Sequence, residues 1–218
     1  MKTLVLIISD DSQAVYAPHR EVWRSYMGSD PHYECYFITH RPDISEPCVV
    51  NDTFYAVGQE GFASILKKTA DAMEYFLSRG TYDFVIRTNL SSVWIFRNTT
   101  ALLETLPRSA LMYGCLNNVC NLPYVSGAGI IMTSDVCQHI VRGWSTAQLQ
   151  DYDDIAIGWI AGCEGVELRE GRRHDYDCNR FLTDDAYHIR AKADAWENRH
   201  LEPAMMRAIL AHYAMLTR

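Results

Sequence analysis

Two adjacent carboxylates, Asp153 and Asp154, lie near the start of a segment whose pattern predicts a helix over residues 151–162. Unless burial intervenes, both side chains stay ionised, and an ionised carboxylate can accept a proton from a reacting hydroxyl group. Negative side chains also stabilise the first turn of a helix, by capping it or through its dipole. The sequence leaves open whether this pair is catalytic or serves the helix.

Cationic side chains that suit phosphate occur in two places. His188, Arg190 and Lys192 alternate along the chain, so an extended backbone would put all three on one face. Arg87 follows an apolar run, and its planar guanidinium matches the geometry of a phosphate group. A solvated strand face is the alternative for the first group, and a structural salt bridge is the alternative for Arg87.

Polar side chains also follow the first apolar run of the chain. Ser9, Asp10 and Asp11 come directly after residues 3–8, which predict a buried parallel strand. Ligands bind at the carboxyl ends of strands in open α/β sheets, and a carboxylate there can accept a hydrogen bond from a base or a ribose. An Asx-type turn or a helix cap explains the two aspartates equally well.

A second polar segment ends the strand predicted over residues 82–88. Its polar members, Thr88, Asn89 and Ser91, predict a binding elbow. Further along, a run of small residues would let the backbone approach a sugar, or would merely permit a tight turn. This run consists of Ser126, Gly127, Ala128 and Gly129. Because no Gly-x-Gly-x-x-Gly fingerprint follows the first strand, a dinucleotide-dependent oxidoreductase is disfavoured.

The elements that must position these residues predict an α/β fold. The chain begins β-α-β, and we expect one domain over residues 1–218, with a mixed, mostly parallel sheet between helices and Asn89 at the edge of its cleft. Strands are predicted at 3–8, 33–39, 82–88, 111–114 and 127–133. Helices are predicted near 15–26 and at 59–78, 102–106, from 134 or 135, 151–162 and 202–216.

Composition narrows the class of protein. Acidic residues outnumber basic ones by 27 to 20, and the net charge of −7 disfavours nucleic-acid binding through phosphate contacts. The apolar run at 3–8 is too short to span a membrane and lacks the features of a signal peptide, so we expect a cytoplasmic protein. Seven scattered cysteines without a Cys-x-x-Cys pair predict reduced thiols.

Four segments in the middle of the chain carry a family resemblance. Residues 64–69 are similar to the pattern Asn-Leu-Thr-Leu-Lys-Thr, and residues 84–92 to Phe-Val-Leu-Lys-Thr-Asp-Asp-Asp-Val. Residues 123–130 are similar to Pro-Tyr-Cys-Ser-Gly-Gly-Gly-Tyr, and residues 153–158 to Glu-Asp-Val-x-x-Gly. In this order, the segments resemble those of the inverting β-1,3-galactosyl- and N-acetylglucosaminyltransferases, and more loosely those of small glycosyltransferases of large DNA viruses.

The resemblance implies a GT-A fold, a nucleotide-sugar donor with UDP as the favoured nucleotide, and a glycan or protein acceptor. It implies that Asp154 is the base that activates the acceptor, with Asp153 as its neighbour. It also implies that Lys68 and the small residues of the 126–129 run contact substrate. A histidine late in such chains often contacts metal or phosphate, which makes His188 a candidate metal ligand.

The departure from the family concerns the metal. The family's carboxylate cluster holds a divalent cation, Mn²⁺ or Mg²⁺, but the corresponding residues here are Asn89, Leu90 and Ser91. Uncharged oxygens bind such an ion weakly, so the ion would depend on nucleotide phosphates and other residues, or cationic side chains would replace it. A catalytically silent nucleotide-sugar or glycan-binding module with the same fold is the alternative function.

Overall fold

A computed structural model of the chain describes residues 1–147, 152–177 and 182–215. Within these ranges the strands are β1 (Thr3–Ile8), β2 (Tyr33–Arg41), β3 (Cys48–Val50), β4 (Thr53–Val57), β5 (Phe84–Asn89), β6 (Ser92–Trp94), β7 (Leu111–Val119), β8 (Leu122–Thr133), β9 (Glu167–Glu170), β10 (His174–Tyr176) and β11 (His188–Ala191). The helices are α1 (Ala17–Arg24), α2 (Ile65–Leu77), α3 (Phe96–Leu103), α4 (Ser134–Gly143), α5 (Asp153–Cys163) and α6 (Glu202–Met215).

An eight-stranded mixed sheet forms the centre of the fold, in the order β3-β4-β2-β1-β5-β8-β7-β9. β1 pairs in parallel with β2 on one side and with β5 on the other, and β2 pairs in parallel with β4. β8 is antiparallel to both β5 and β7. Because successive connections lead away from β1 on both sides, a crevice forms at the carboxyl ends of β1 and β5, where ligands bind in such sheets.

Both faces of the sheet are covered, which explains the continuous apolar run in β1. Leu4 and Leu6 pack in one apolar cluster with α2, α4 and α5. Val5 and Ile7 point to the opposite face and pack in a second cluster with α1, α3 and α6. Complete burial of each such side chain contributes about 1.5–3 kcal/mol, so β1 is a central stabilising strand as well as one wall of the crevice.

A small second sheet, in the order β10-β11-β6, packs against β8 at Gly129. The rings of Trp94 and His188, which are register partners in β6 and β11, stack with centroids 4.3 Å apart and planes 5° from parallel. Gly129 of β8 packs against both rings: a Cβ atom there would lie 2.3 Å from Cε1 of His188 and 2.7 Å from Cζ2 of Trp94. The glycine thus lets the two sheets meet.

The predicted α/β architecture with a mixed, mostly parallel sheet is confirmed, but two predicted helices differ from those observed. The helix predicted over 59–78 begins only at Ile65, after a 3₁₀ turn in which Phe62 is 61% exposed instead of part of the apolar face. The helix predicted over 102–106 is wrong in position, because α3 ends at Leu103. Burial of Phe96 and Leu103 outweighs the low helix propensity of the β-branched residues between them.

Two hairpins differ from the sequence-based prediction. β7 and β8 are longer than predicted and join through Cys120 and Asn121, whose positive φ angles of 49° and 64° match the turn that suits a tight hairpin. β3 and β4 form a second hairpin, with Asn51 at φ 54°. Neither turn contains the Asn-Gly or Asp-Gly pair that is the strongest hairpin signal in a sequence.

The remaining predictions concern the positions of the later helices, the redox state of the cysteines and the absence of a membrane-spanning segment. α4 starts at Ser134 as predicted, whereas residues 151 and 216 of the other two predicted helices lie outside the described residues. The cysteines in the described ranges are free thiols, and Cys178 lies outside those ranges. None of the helices in the described ranges combines the length and apolar character that crossing a bilayer requires.

We expect Gly129→Ala to lower the free energy of unfolding by about 1–3 kcal/mol, because the added methyl group would overlap the two stacked rings. Urea denaturation followed by tryptophan fluorescence measures the change. Gly162→Ala is the matched control, since a Cβ atom at this position of α5 would meet no atom within 4 Å. The control should leave stability unchanged or raise it by up to about 1 kcal/mol. Equal stability of the two variants would contradict the close packing of β8 on the second sheet.

Candidate functional site

A cleft of about 500 Å³ lies at the carboxyl ends of β1 and β5, where Ile8 and Asn89 are register partners. Its volume is in the range of small-molecule binding sites. The polar end of β5 therefore borders a cleft, as predicted. The residues that line the cleft are Ile8, Ser9, Asp10, Gln13, Tyr16, Glu60, Gly61, Phe62, Ile65, Lys68, Arg87, Asn89, Leu90, Ser126, Gly127, Ala128, Tyr152, Asp153, Asp154, Arg190, Trp196 and Arg199.

Arg87 joins three elements at the base of the cleft. Its side chain is 4% exposed, and its guanidinium donates to the carbonyl oxygen of Gly127 and to the carboxylate of Asp153. Burial raises the pKa of Asp153, although the positive charge of Arg87 opposes the rise. Arg87 thus forms the structural salt bridge that was one of its two interpretations. Both terminal nitrogens of its guanidinium, which could otherwise bind a phosphate, donate within the protein.

Asp154 lies beside this ion pair and lines the cleft. One oxygen of its carboxylate accepts from the backbone N–H of Gly127 at 2.8 Å, and the other lies 3.0 Å from the N–H of Ile155. Gly127 must lack a side chain here, because a Cβ atom would lie 2.5 Å from Nη1 of Arg87 and 3.2 Å from Oδ2 of Asp154. The carboxylate is therefore held in a fixed position while each oxygen keeps a free lone pair.

Lys68 is 1% exposed, and protein acceptors surround its ammonium. It donates to the carbonyl oxygen of Ser9 at 2.7 Å and to both carboxylate oxygens of Glu60 at 3.0 and 2.7 Å. Burial alone would raise the pKa of Glu60, but hydrogen bonds from His40 and the charge of Lys68 lower it to about 2. These contacts give Lys68 a role in tying α2 to the end of β1.

The three polar residues after β1 lie in different environments. Asp10 forms the Asx-type turn that was one interpretation of this segment, since its carboxylate accepts from the N–H of Ser12 at 2.9 Å. Asp11 forms an ion pair with Arg20 and lies outside the cleft lining. Ser9 lines the cleft, and its buried hydroxyl group has no hydrogen-bond partner among the described residues.

The elbow after β5 is held by its own hydrogen bonds. The hydroxyl group of Thr88 donates to the carbonyl oxygen of Ala128 at 2.8 Å. The side-chain oxygen of Asn89 accepts from the hydroxyl group of Ser92 at 2.9 Å, and the carbonyl oxygen of Leu90 accepts from Nε1 of Trp23 at 3.0 Å. Thr88 is thus structural, and only Asn89 and Leu90 of the elbow reach the cleft.

His188, the candidate metal ligand, is 2% exposed and does not line the cleft. Its Nε2 atom lies 3.1 Å from the hydroxyl group of Ser92, and burial lowers its pKa to about 3, with the charges of Arg173 and Arg190 adding to the shift. A neutral ring could ligate a metal, but this one is enclosed between Trp94 and the backbone of Gly129.

The described residues do not fit a divalent cation held by the protein. Asn89 and Leu90 already accept hydrogen bonds from other side chains, and Ser91 is 1% exposed. In the ranges that the structure describes, no group of three or more His, Cys, Asp or Glu side chains is arranged to hold a metal ion. The donor set of the elbow is uncharged, which is unfavourable for Mn²⁺ or Mg²⁺.

Of the alternating cations, only Arg190 reaches the cleft. His188 and Arg190 belong to β11, as the period of two predicts, and Arg190 is among the lining residues. Lys192 lies beyond the end of the strand, is exposed to solvent and is not part of the lining. The three residues therefore do not form one phosphate-binding face.

Several residues that line the cleft were not predicted as site residues from the sequence. Arg199 and Trp196 come from the 3₁₀ turn before α6, and Tyr152 directly precedes the acidic pair. Tyr152 and Trp196 are 55% and 60% exposed, whereas Trp94 is fully buried. Tryptophan is most often a packing residue, so the sequence offers no signal that separates Trp196 from Trp94. Position next to two carboxylates is the one signal that could have singled out Tyr152.

The solved structures that share this fold include two glycosyltransferases. A glycosyltransferase involved in the glycosylation of the major capsid of PBCV-1 matches with a TM-score of 0.62 and 10% sequence identity, over 94% of this chain and 100% of that one. The galactosyltransferase LgtC, in complex with donor and acceptor sugar analogues, matches with a TM-score of 0.53 and 8% identity, over 96% of this chain and 95% of that one.

The chain therefore has the GT-A fold, a mixed sheet between helices, and in this it resembles a viral glycosyltransferase as predicted. Sequence comparison adds nothing to this likeness, since no family model and no curated protein matches the chain. At identities of 8–10% the likeness concerns the fold, and the chemistry must be argued from the cleft.

The Glu60 carboxylate should make stability depend on pH. Its pKa is about 2 in the folded chain and 4.5 as the ordinary value, so its ionised form favours folding above pH 4.5. The pKa difference corresponds to about 3 kcal/mol, which solvent screening of the partly exposed carboxylate reduces to about 2 kcal/mol, and this contribution should be lost as the pH falls from 4.5 towards 2. Thermal unfolding of wild type and Glu60→Gln across this range measures it: the difference between them should shrink on acidification. A constant difference would contradict the depressed pKa.

Proposed function

We propose that the protein is a glycosyltransferase, a hexosyl- or pentosyltransferase that moves a sugar from a nucleotide-sugar to a hydroxyl group of a glycan or protein-linked acceptor. The observation that carries the proposal is the position of Asp154. Its carboxylate lies in the cleft at the carboxyl ends of β1 and β5, held by the backbone N–H of Gly127. The GT-A fold supports the class of donor, and the family resemblance of residues 153–158 supports the role of base.

In the proposed reaction, the acceptor oxygen attacks the anomeric carbon of the donor sugar while Asp154 accepts the hydroxyl proton. The bond between that carbon and the diphosphate oxygen breaks, and the nucleoside diphosphate leaves with the electron pair. Attack from the face opposite the leaving group inverts the anomeric configuration. The proton on Asp154 passes to solvent after the products leave, which restores the carboxylate.

Asp153 and Arg87 support this step indirectly. Their buried ion pair fixes the first turn of α5, which carries Asp154, against the end of β5. Gly127 and Ala128 line the cleft next to the carboxylate, and the small side chains there give a sugar ring room to approach the backbone. A base held by backbone contacts loses little freedom when it reaches the transition state.

The nucleoside is proposed to bind near the end of β1. Ser9 and Asp10 line this part of the cleft, and the buried hydroxyl group of Ser9 has no partner among the described residues. A polar atom of a base or ribose would satisfy it, which removes the cost of an unpaired buried group. Uridine is favoured because of the family resemblance, and guanosine is the second choice.

A UDP-sugar, and more weakly a GDP-sugar, should raise the melting temperature, whereas NAD and ATP should leave it unchanged. A ligand that binds only the folded state adds about 2.7 kcal/mol of stability at a concentration of 100 times its Kd. Thermal shift with a panel of nucleotide-sugars, followed by titration calorimetry, provides the measurement. Absence of any nucleotide-sugar binding at millimolar concentration would exclude the transferase.

Asp154→Asn should leave nucleotide-sugar affinity nearly unchanged but reduce turnover by about 10²- to 10⁴-fold, because a positioned base contributes this much to a rate. Turnover is measured as sugar transfer, or as donor hydrolysis until an acceptor is identified. Asp43→Asn is the control, since Asp43 is an exposed carboxylate paired with Arg41 outside the cleft. Equal turnover of Asp154→Asn and wild type would remove Asp154 from the mechanism and favour the silent binding module.

A further inference from the structure

We infer that the cleft binds the diphosphate of its nucleotide without a divalent cation, through the guanidinium groups of Arg190 and Arg199. The inference rests on the proposed function and deepens it, because it names the side chains that neutralise the leaving group. Four observations lead to it: the donors at the elbow, the pairing of the other cations, the environment of Arg190 and the contacts that hold Arg199.

The elbow after β5 offers little to a metal ion. The side-chain oxygen of Asn89 and the carbonyl oxygen of Leu90 both accept hydrogen bonds within the protein, and the hydroxyl group of Ser91 is buried. Neutral oxygens that already have donors compete poorly with water for a hard dication. Charge compensation for a diphosphate at this end of the sheet must therefore come from elsewhere in the cleft.

Two of the cleft's cations are committed to carboxylates of the protein. Lys68 forms an ion pair with Glu60 at 2.7 Å, and Arg87 forms one with Asp153. Both cations are at most 4% exposed, so neither can turn towards a ligand without leaving a buried carboxylate unpaired. Neither side chain is thus available to a diphosphate.

Arg190 is placed differently. It lines the cleft, and its guanidinium forms no ion pair with a carboxylate of the described residues; its Nε atom, like that of Arg87, is buried without a hydrogen-bond partner there. Burial lowers its pKa, and the positive charges of Arg173 and Arg199 add to this shift, whereas the negative charges of Asp175 and Glu202 oppose it. Asp175 itself makes two hydrogen bonds with Arg173, at 2.8 and 3.2 Å. Positive charges that repel each other in this way would be stabilised by a bound anion.

Arg199 also pairs with a carboxylate of the protein, but only through one edge of its guanidinium. Its Nε atom forms an ion pair with buried Glu202 at 3.2 Å, and its Nη1 atom donates to the hydroxyl group of Tyr16 at 3.4 Å. The guanidinium lies over the rings of Tyr16 and Trp196, at 5.2 and 4.9 Å from the centroids. Glu202 also accepts from buried His19 at 2.9 Å. The other ring nitrogen of His19 lies 3.1 Å from the carbonyl oxygen of Val15.

This arrangement shares one carboxylate between two donors. Glu202 accepts from His19 as well as from Arg199, so this buried carboxylate keeps a donor when Arg199 turns towards a ligand. Arg199 also has N–H groups that Glu202 does not use. Arg190 and Arg199 together present two planar guanidinium groups that match the geometry of phosphate oxygens. Fixed cations of this kind stabilise the charge that develops on a leaving diphosphate.

The first test is calorimetry of UDP and GDP with the intact protein, in buffer with EDTA and in buffer with Mn²⁺. We expect the affinity for the preferred diphosphate to differ by less than about twofold between the two buffers. Binding that appears only with Mn²⁺, or that tightens about tenfold or more, overturns the inference while the transferase stands. If no diphosphate and no nucleotide-sugar binds in either buffer, both proposals fail.

The second test uses variants in EDTA. Arg190→Ala and Arg199→Ala should each weaken UDP binding by about 10- to 100-fold, the loss of a charge-assisted hydrogen bond, and should weaken UMP binding much less. Arg199→Lys should recover part of the loss because it keeps the charge. Arg207→Ala, at an exposed position of α6 outside the cleft, is the control and should bind like wild type. Unchanged UDP affinity in both alanine variants would overturn the inference.

Discussion

The buried ion pair between Arg87 and Asp153 is the interaction on which the geometry of the cleft depends. A guanidinium that is 4% exposed needs partners for its charge, and it finds them in the Asp153 carboxylate of α5 and a carbonyl group of β8. β5, β8 and α5 therefore meet at one point. Because the second partner is the carbonyl group of Gly127, the N–H of the same residue is left to hold Asp154.

The fold was predictable wherever burial leaves a local pattern in the sequence. β1 is apolar along its whole length because both of its faces are covered, and α2 and α6 show a helical period because one side of each is buried. α3 was misplaced because long-range packing, not its own propensity, determines where it begins. The β3–β4 hairpin was not predicted because its strands are only three and five residues long and its turn, at Asn51 and Asp52, lacks the glycine of the strongest hairpin signal.

The sequence indicated which residues lie at the site, through their types and their positions at strand ends, but it did not indicate which charged groups pair with each other. The acidic pair and the polar ends of β1 and β5 could be identified because their spacing places them at one edge of a parallel sheet. Which cation meets which carboxylate depends on tertiary contacts. Lys68 pairs with Glu60, and Arg87 pairs with Asp153, 66 residues away. Two cations that were expected to contact substrate therefore form ion pairs within the protein.

The arrangement of charged groups in the cleft helps to distinguish a transferase from a catalytically silent binding module. A module that only binds a nucleotide-sugar needs cations for the diphosphate and polar groups for the nucleoside, but it has no use for a base that accepts a proton from an acceptor hydroxyl group. Asp154 nevertheless remains in the lining and is held by a glycine whose Cβ atom would clash with Arg87. A carboxylate fixed in this way adds nothing to the affinity for an anionic ligand, whereas it can accept a proton from an acceptor hydroxyl group. The combination favours an enzyme over a binder.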